Sequence, residues 1–222
     1  MSFDQTLRWL CAILLVCGAS ASAQNTAEEL FEVGFSYQTG EGVELDEQRA
    51  LSYYGDALRL KPELFAPLYN SALIYHGRGE YTRAQNFFIK SARAAAVFGK
   101  DAPRYESMAR NGLGTCYQMQ GKYESAEKQF DIARRIQSDF VEAHYNYINI
   151  LVRDERLAEA ANALKLAEQI APSDRYQRFR GQLSAKEKKE SMGGLGGVGG
   201  VIAIVLLILA YGAYLRRLKK RN

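Results

Sequence analysis

Histidine, cysteine and proline are scarce in this sequence of 222 residues, which contains two, three and four of them. Two of the cysteines, Cys11 and Cys17, lie in an apolar stretch near the N-terminus. Without that stretch Cys116 is the single thiol, which excludes an internal disulfide or a thiolate metal site. We expect Cys116 to be buried in a helix. Little proline beside much leucine, alanine and tyrosine favours an all-α protein.

The sequence also lacks a strongly charged body. It contains 29 lysines and arginines against 25 aspartates and glutamates. Five of those cations lie in 216–222, so residues 24–215 are close to neutral. Nucleic-acid binding normally needs a basic stripe, so we predict no nucleic-acid partner.

Catalytic and cofactor motifs are missing as well. His76 and His144 do not have metalloprotease spacing, and no serine lies in a nucleophile elbow. Residues 194–199 fit the glycine pattern of dinucleotide sites, but a charged segment precedes them where a strand would be required. The sequence therefore predicts no catalytic residue, no cofactor and no metal site.

The N-terminus is typical of a signal peptide. Arg8 precedes an apolar run from Trp9 to Ala19, and Ala21-Ser22-Ala23 supplies the small residues that a signal peptidase needs. We predict a leader of residues 1–23, cleaved before Gln24. The alternative is a lipoprotein signal with Cys17 lipidated, which is disfavoured because Val16 stands where a small residue is normal.

The C-terminal segment predicts a membrane anchor. Residues 192–194 begin a glycine-rich joint, and no charged residue occurs from Leu195 to Leu215. As a helix these 21 residues would span roughly 31 Å, about the thickness of a hydrocarbon core. The basic residues of 216–222 would then lie in the cytoplasm. We expect 24–191 to be extracytoplasmic, on a single-pass protein of a bacterial inner membrane.

Between these ends, small, aromatic and turn residues recur in one order. The steps from Gly79 to Gly121 and on to Glu155 are 42 and 34 residues. The spacing i, i+3, i+4 and i+7 of the apolar residues predicts helices in pairs. The recurring residues of the three segments are Leu68, Ala72, Tyr75, Gly79, Tyr81, Ala84 and Phe88; Gly114, Tyr117, Gly121, Tyr123, Ala126 and Phe130; and Ile148, Leu151, Leu157, Ala160 and Leu164.

At these residues the chain resembles the tetratricopeptide repeat family over about 24–172. The resemblance implies an all-α, right-handed solenoid of about four helix pairs. The first repeat is similar to a Sel1-like repeat, because residues 33–46 form a longer turn before Ala50, Tyr54 and Ala57. The 42-residue step predicts a second helix that extends to about Gly99, with Pro103 at the start of the next one.

Residues 173–191 are predicted to form a capping helix and a charged stalk. Ser173 and Asp174 are good helix caps, and Pro172 follows the end of the last repeat helix. Tyr176, Phe179 and Leu183 would cover the open end of the array, as a solenoid requires.

The family resemblance implies a concave groove lined by the first helix of each pair. Asn70 and Asn146 stand where many members hold a peptide backbone through an amide, which both donates and accepts hydrogen bonds. Tyr69, Asn111 and Tyr145 occupy positions where a carboxylate clamp needs cations, which favours a more apolar peptide or helix as partner. The predicted groove residues are Phe31, Phe35, Tyr69, Asn70, Leu73, His76, Asn111, Thr115, Gln118, Tyr145, Asn146 and Asn149.

We therefore expect a non-catalytic scaffold or adaptor that binds a protein or peptide at a membrane. Two alternatives stay open. The array or its glycine-bearing span could build a homo-oligomer, or the protein could be an accessory factor for secretion or envelope assembly that binds clients transiently.

Overall fold

The computed structural model describes residues 26–186 and residue 188, and all regular structure within this part of the chain is helical. The predictions of an all-α fold and of paired helices are thus confirmed there. The α-helices are α1 (Ala27–Thr39), α2 (Glu47–Leu60), α3 (Phe65–Gly77), α4 (Tyr81–Ala94), α5 (Ala102–Met119), α6 (Tyr123–Ile136), α7 (Val141–Arg153) and α8 (Leu157–Ile170). Helical residues 177–186, here named α9, follow a 3₁₀ turn at Asp174–Tyr176.

The second helix of each pair buries residues at i, i+4 and i+7. This spacing places three side chains on one helix face. In each pair these three residues form a row, in which a large side chain lies between two small ones. The four rows, all buried, are Ala50, Tyr54 and Ala57; Ala84, Phe88 and Ser91; Ala126, Phe130 and Ala133; and Ala160, Leu164 and Ala167.

The turns inside the last three pairs share one geometry. Gly79 and Gly121 have φ values of 76° and 74°, in the left-handed region that glycine enters without a Cβ clash. The residue after each glycine donates its backbone N–H to a carbonyl five residues earlier, 2.9 Å away. Glu155 takes the same place in the last pair with φ of 57°, a conformation unusual for a residue with a side chain.

The first pair has the longer connection that the sequence predicts. Seven residues, 40–46, separate α1 from α2, against three residues, 78–80, between α3 and α4. Asp46 ends the connection as an N-cap, because its carboxylate accepts hydrogen bonds from the backbone N–H groups of Gln48 and Arg49 at 3.0 Å.

The 42-residue step is not one long helix, and that expectation is corrected. α4 ends at Ala94, and a 3₁₀ segment (Ala95–Asp101) carries the chain onward. At Gly99 the backbone turns out of helical geometry, with φ of 54° and ψ of −118°. Pro103 stands in the first turn of α5 as predicted, where its missing N–H is not needed.

The chain forms two compact units, which meet in sequence between Gln137 and Ser138. The first unit contains α1–α6, and the second contains α7–α9. In the second unit, Tyr176, Phe179 and Leu183 are buried with Ile148 and Leu164 in one core. The predicted capping segment thus supplies core residues to the second unit. Pro172 follows α8, and Ser173 caps the 3₁₀ turn through its side chain.

Several predictions lie outside the described residues. They are the leader of 1–23, the glycine-rich joint and span of 192–215, the basic tail of 216–222 and most of the charged stalk after residue 186. Among the helices that the structure describes, none combines the length and the apolar composition needed to cross a bilayer.

Candidate peptide-binding face

Three predicted groove residues lie along one side of α3, spaced three residues apart. Asn70 and His76 are half-buried, and Leu73 between them is 39% exposed. An apolar side chain that stays open to solvent between two amphipathic neighbours is available for contact with a partner. We name Asn70, Leu73 and His76 the α3 face.

His76 has a buried ring nitrogen that no hydrogen bond satisfies in the described part of the chain. Its ring lies edge-on to the ring of Tyr81, with centroids 5.5 Å apart. Its Nε2 atom is shielded from solvent, and it has no hydrogen-bond partner among the described residues. Burial lowers the pKa of His76, which favours the neutral imidazole at pH 7. A neutral ring can accept or donate one hydrogen bond at this nitrogen.

Tyr69 is positioned by packing within the first unit. Its ring stacks on Phe65 at 5.4 Å and meets the edge of Phe88 at 5.6 Å. Burial raises the pKa of its hydroxyl. Much of the aromatic surface of Tyr69 is therefore engaged inside the unit.

The predicted groove residues of α1 also pack internally. Phe31 stacks on the buried ring of Tyr54 with centroids 5.6 Å apart, and Phe35 lies 5.9 Å from Phe31. Both phenylalanines are half-buried. They present part of an aromatic surface beside the first helix pair.

On α5, the predicted residues Asn111, Thr115 and Gln118 are half-buried. The hydroxyl of Thr115 donates a hydrogen bond to the carbonyl of Gly112 at 2.7 Å, so its donor is satisfied within its own helix. Gly112 occupies the position that Asn70 holds on α3. A Cβ at Gly112 would lie 2.4 Å from ring atoms of Phe88, so α5 has no room for an asparagine there.

In the second unit, α9 contacts two of the predicted groove residues. The ring of Phe179 lies 4.9 Å from that of Tyr145, and Arg178 donates to Asn149 Oδ1 at 3.4 Å. The guanidinium of Arg175 lies 5.3 Å from the Tyr145 ring centroid, and it pairs with Glu142 at 2.6 Å. The third predicted residue, Asn146, is half-buried.

The predicted face of the first unit carries no fixed charge. Its residues on α1, α3 and α5 are aromatic, aliphatic, amide or hydroxyl residues together with His76. An uncharged surface of this composition suits an uncharged, partly apolar ligand.

Cys116 is fully buried, as expected, and burial raises the pKa of its thiol to about 12. Such a thiol is unreactive near neutral pH because the thiolate is the nucleophile. In the part of the chain that the structure describes, no three histidine, cysteine or acidic residues come together as a metal site would need.

Sequence reasoning missed a second surface of the first unit. A depression of about 580 Å³ opens between the start of α1, the α2–α3 loop and the 3₁₀ segment. Its lining residues are Glu28, Leu60, Lys61, Pro62, Glu63, Leu64 and Val97. The signal was present in the 42-residue step, because three of its eight extra residues lengthen the connection that contains Val97.

A family model described as a tetratricopeptide repeat matches residues 63–139, from the α2–α3 loop to just beyond α6. The prediction of tetratricopeptide repeats is confirmed by this match. The match does not extend to residues 33–46, so the Sel1-like character of the first repeat stays a prediction.

Solved structures of similar fold include bacterial proteins. PilF of Pseudomonas aeruginosa is 14% identical, with a TM-score of 0.57 over 77% of this chain and 76% of that one. MamA, from residue 41 to the end, of Desulfovibrio magneticus RS-1 is 20% identical, with a TM-score of 0.54 over 67% and 77%. At these identities the likeness concerns the fold alone. No curated protein sequence matches the chain.

Proposed function

We propose that this protein is a non-catalytic scaffold whose α3 face binds a peptide or helix of another protein. Tetratricopeptide repeats are in general interaction modules, and the match over 63–139 supports that class of function. Repeat folds serve many roles, so the proposal depends on the residues of the face rather than on the fold.

The observation that carries the proposal is the open side of α3. Leu73 stays 39% exposed while Asn70 lies one turn before it and His76 one turn after it. A partner could bury Leu73 and pair its backbone with the Asn70 amide, beside the half-buried ring of His76.

The proposal includes display at a membrane. A leader at 1–23 and a span at 195–215 would hold the repeats on the outer face of a bacterial inner membrane, with the basic tail in the cytoplasm. This part of the proposal depends on the sequence pattern, because both segments lie outside the described residues.

Co-purification of full-length protein from gently solubilised membranes tests the binding face. We expect a protein partner to co-purify with the unmodified chain and to be lost from an Asn70→Ala, Leu73→Ser double variant. Tyr69 and Tyr145 are unsuitable for this test, because both rings pack against their own units.

A matched control variant carries Asn86→Ala and Leu45→Ser. Asn86 is exposed on α4 and Leu45 is exposed in the α1–α2 connection, so these changes remove the same atoms elsewhere in the first unit. Retention of the partner by the α3 variant, or equal loss from the control, would contradict the binding role of the α3 face. Sedimentation of the same preparations would identify a homo-oligomer, the alternative that the sequence leaves open.

A further inference from the structure

The depression of the first unit is built by an insertion that breaks the repeat. The step between the second and third repeats is eight residues longer than the 34-residue step that follows. Three of the extra residues lengthen the connection, which has seven residues (Ala95–Asp101) before the third repeat against four (137–140) before the fourth. The other five lengthen α5, which has 18 residues against 13 in α7. The longer connection places Val97 at the edge of the depression.

The insertion exposes apolar side chains. Val97 is 70% exposed, and it lines the depression together with Leu60, which is 57% exposed. The neighbouring Phe98 is held in place, since its ring lies 4.2 Å from Tyr105 and 5.8 Å from Phe65. The segment is therefore fixed to the first unit while Val97 projects beside the open space.

The volume suits a short peptide segment. About 580 Å³ lies within the range of ligand pockets, which is roughly 300–1,000 Å³. Leu60, Pro62, Leu64 and Val97 supply an apolar lining. One or two large apolar side chains of a partner could enter this space and bury these residues.

The charge around the depression favours a ligand that carries a cationic residue next to its apolar side chains. Lys61 pairs with Glu28 at 2.6 Å, and this hydrogen bond from Lys61 lowers the pKa of the Glu28 carboxyl. The Lys61 charge is thereby balanced, and Glu63 is left as a carboxylate without an ion-pair partner among residues 26–186. A basic residue in the ligand would complement Glu63.

We propose that this depression is a second binding site, which takes a segment of another protein with large apolar side chains next to lysine or arginine. We name it the insertion site. It is distinct from the α3 face, because its lining comes from the α2–α3 loop, the helix ends and the 3₁₀ segment.

The test uses detergent-solubilised full-length protein and fluorescein-labelled synthetic peptides. One peptide carries a leucine and a phenylalanine between arginines, a second has glutamates in place of the arginines, and a third has serines in place of the apolar residues. Fluorescence anisotropy should show binding of the first peptide and at least about tenfold weaker binding of the third.

Variants locate the bound peptide. Val97→Ser and Leu60→Ser should each weaken binding about tenfold, because each removes apolar surface from the site. Leu45→Ser is the matched control, since Leu45 is 60% exposed on the same unit but does not line the depression. Glu63→Lys should weaken the arginine peptide about threefold and strengthen the glutamate peptide by a similar factor.

Equal binding of the arginine and glutamate peptides, or unchanged binding by Val97→Ser, would overturn the proposal. A dimer in sedimentation that Val97→Ser dissociates, without peptide binding, would instead assign the surface to a second copy of this chain. Leu73→Ser should leave the peptide affinity unchanged, so failure of the insertion site and failure of the α3 face give different results.

Discussion

The third repeat, α5–α6, and the fourth repeat, α7–α8, fill the same positions with different residues. In the third, Gly114 lies against Phe130, and a Cβ on Gly114 would come within 2.5 Å of that ring. In the fourth, 34 residues later, Ile148 and Leu164 are both buried in one core. At this contact the third repeat therefore combines a missing side chain with a large ring, whereas the fourth combines two aliphatic side chains of similar size.

The first repeat resembles the third, because Gly34 lies against the ring of Tyr54. A missing side chain on one helix is matched by an aromatic ring on the other. The residues that recur at these two positions are therefore ones that pack against each other across the helix pair.

The largest expected effect comes from placing the isoleucine of the fourth repeat at the equivalent glycine position of the third repeat. Gly114→Ile should destabilise the protein by about 3 kcal/mol or more, because the new side chain overlaps Phe130. The midpoint of urea unfolding, followed by circular dichroism, measures this change. Adding Phe130→Leu should recover a substantial part of the loss. If the double variant is as unstable as the two single changes added together, the residues at these two positions do not compensate for each other.

The turn residues allow a reciprocal exchange with a smaller effect. Gly121→Glu should cost about 1–2 kcal/mol, because φ of 74° strains a residue with a Cβ. Glu155→Gly should stabilise the second unit by about 1 kcal/mol, since it relieves the same strain at φ of 57°. Urea unfolding of both variants checks the signs, and a loss of stability in Glu155→Gly would show that the Glu155 side chain makes a compensating contact.

Two buried tyrosines sharpen the comparison between the units. In the first unit the Tyr54 hydroxyl donates to Gln38 Oε1, whereas the Tyr176 hydroxyl in the second has no partner among the described residues. We expect Tyr54→Phe to destabilise by about 1 kcal/mol. Tyr176→Phe should be neutral or slightly stabilising, because it removes an unsatisfied polar group. Thermal unfolding of the two variants beside the parent distinguishes the sites.

The smallest effect concerns pH. Burial holds the pKa of His76 below its usual value of 6.5, so the unfolded chain binds the proton more readily. This contribution to stability is complete above the unfolded pKa, and it decreases as pH falls through 6.5 toward the folded pKa. His76→Gln gives α3 the residue that α5 has at Gln118, and it should reduce the loss of stability between pH 8 and 5.5. An unchanged pH profile in urea unfolding would contradict this role.

Much of the fold could be predicted from the sequence. The turn glycines, the buried rows such as Ala126, Phe130 and Ala133, the proline in the first turn of α5 and the burial of Cys116 were all correct. These features depend on local geometry and on a period that repeats along the chain. The 3₁₀ segment was missed, because Ala94, Ala95 and Ala96 favour a continued α-helix and no turn residue occurs before Gly99.

The candidate site was less accessible to sequence reasoning. The family resemblance assigned Tyr69, Tyr145 and Asn149 to a groove, and the structure places all three in contact with residues of their own unit. On α3, Leu73 is exposed, and Asn70 and His76 are half-buried. All six residues lie on the first helix of a repeat. The period alone could therefore not distinguish residues that pack within their unit from residues that stay accessible.

The sequence by itself determined the helices, their turns and their buried rows, because these follow from side-chain spacing within one helix pair. Only the tertiary structure decided which surfaces remain open. Leu60 and Val97 meet at one depression although 37 positions separate them, and Arg178 reaches Asn149 from another helix. Such contacts depend on how a turn or an inserted segment places distant parts of the chain. A local sequence pattern contains no information about that placement.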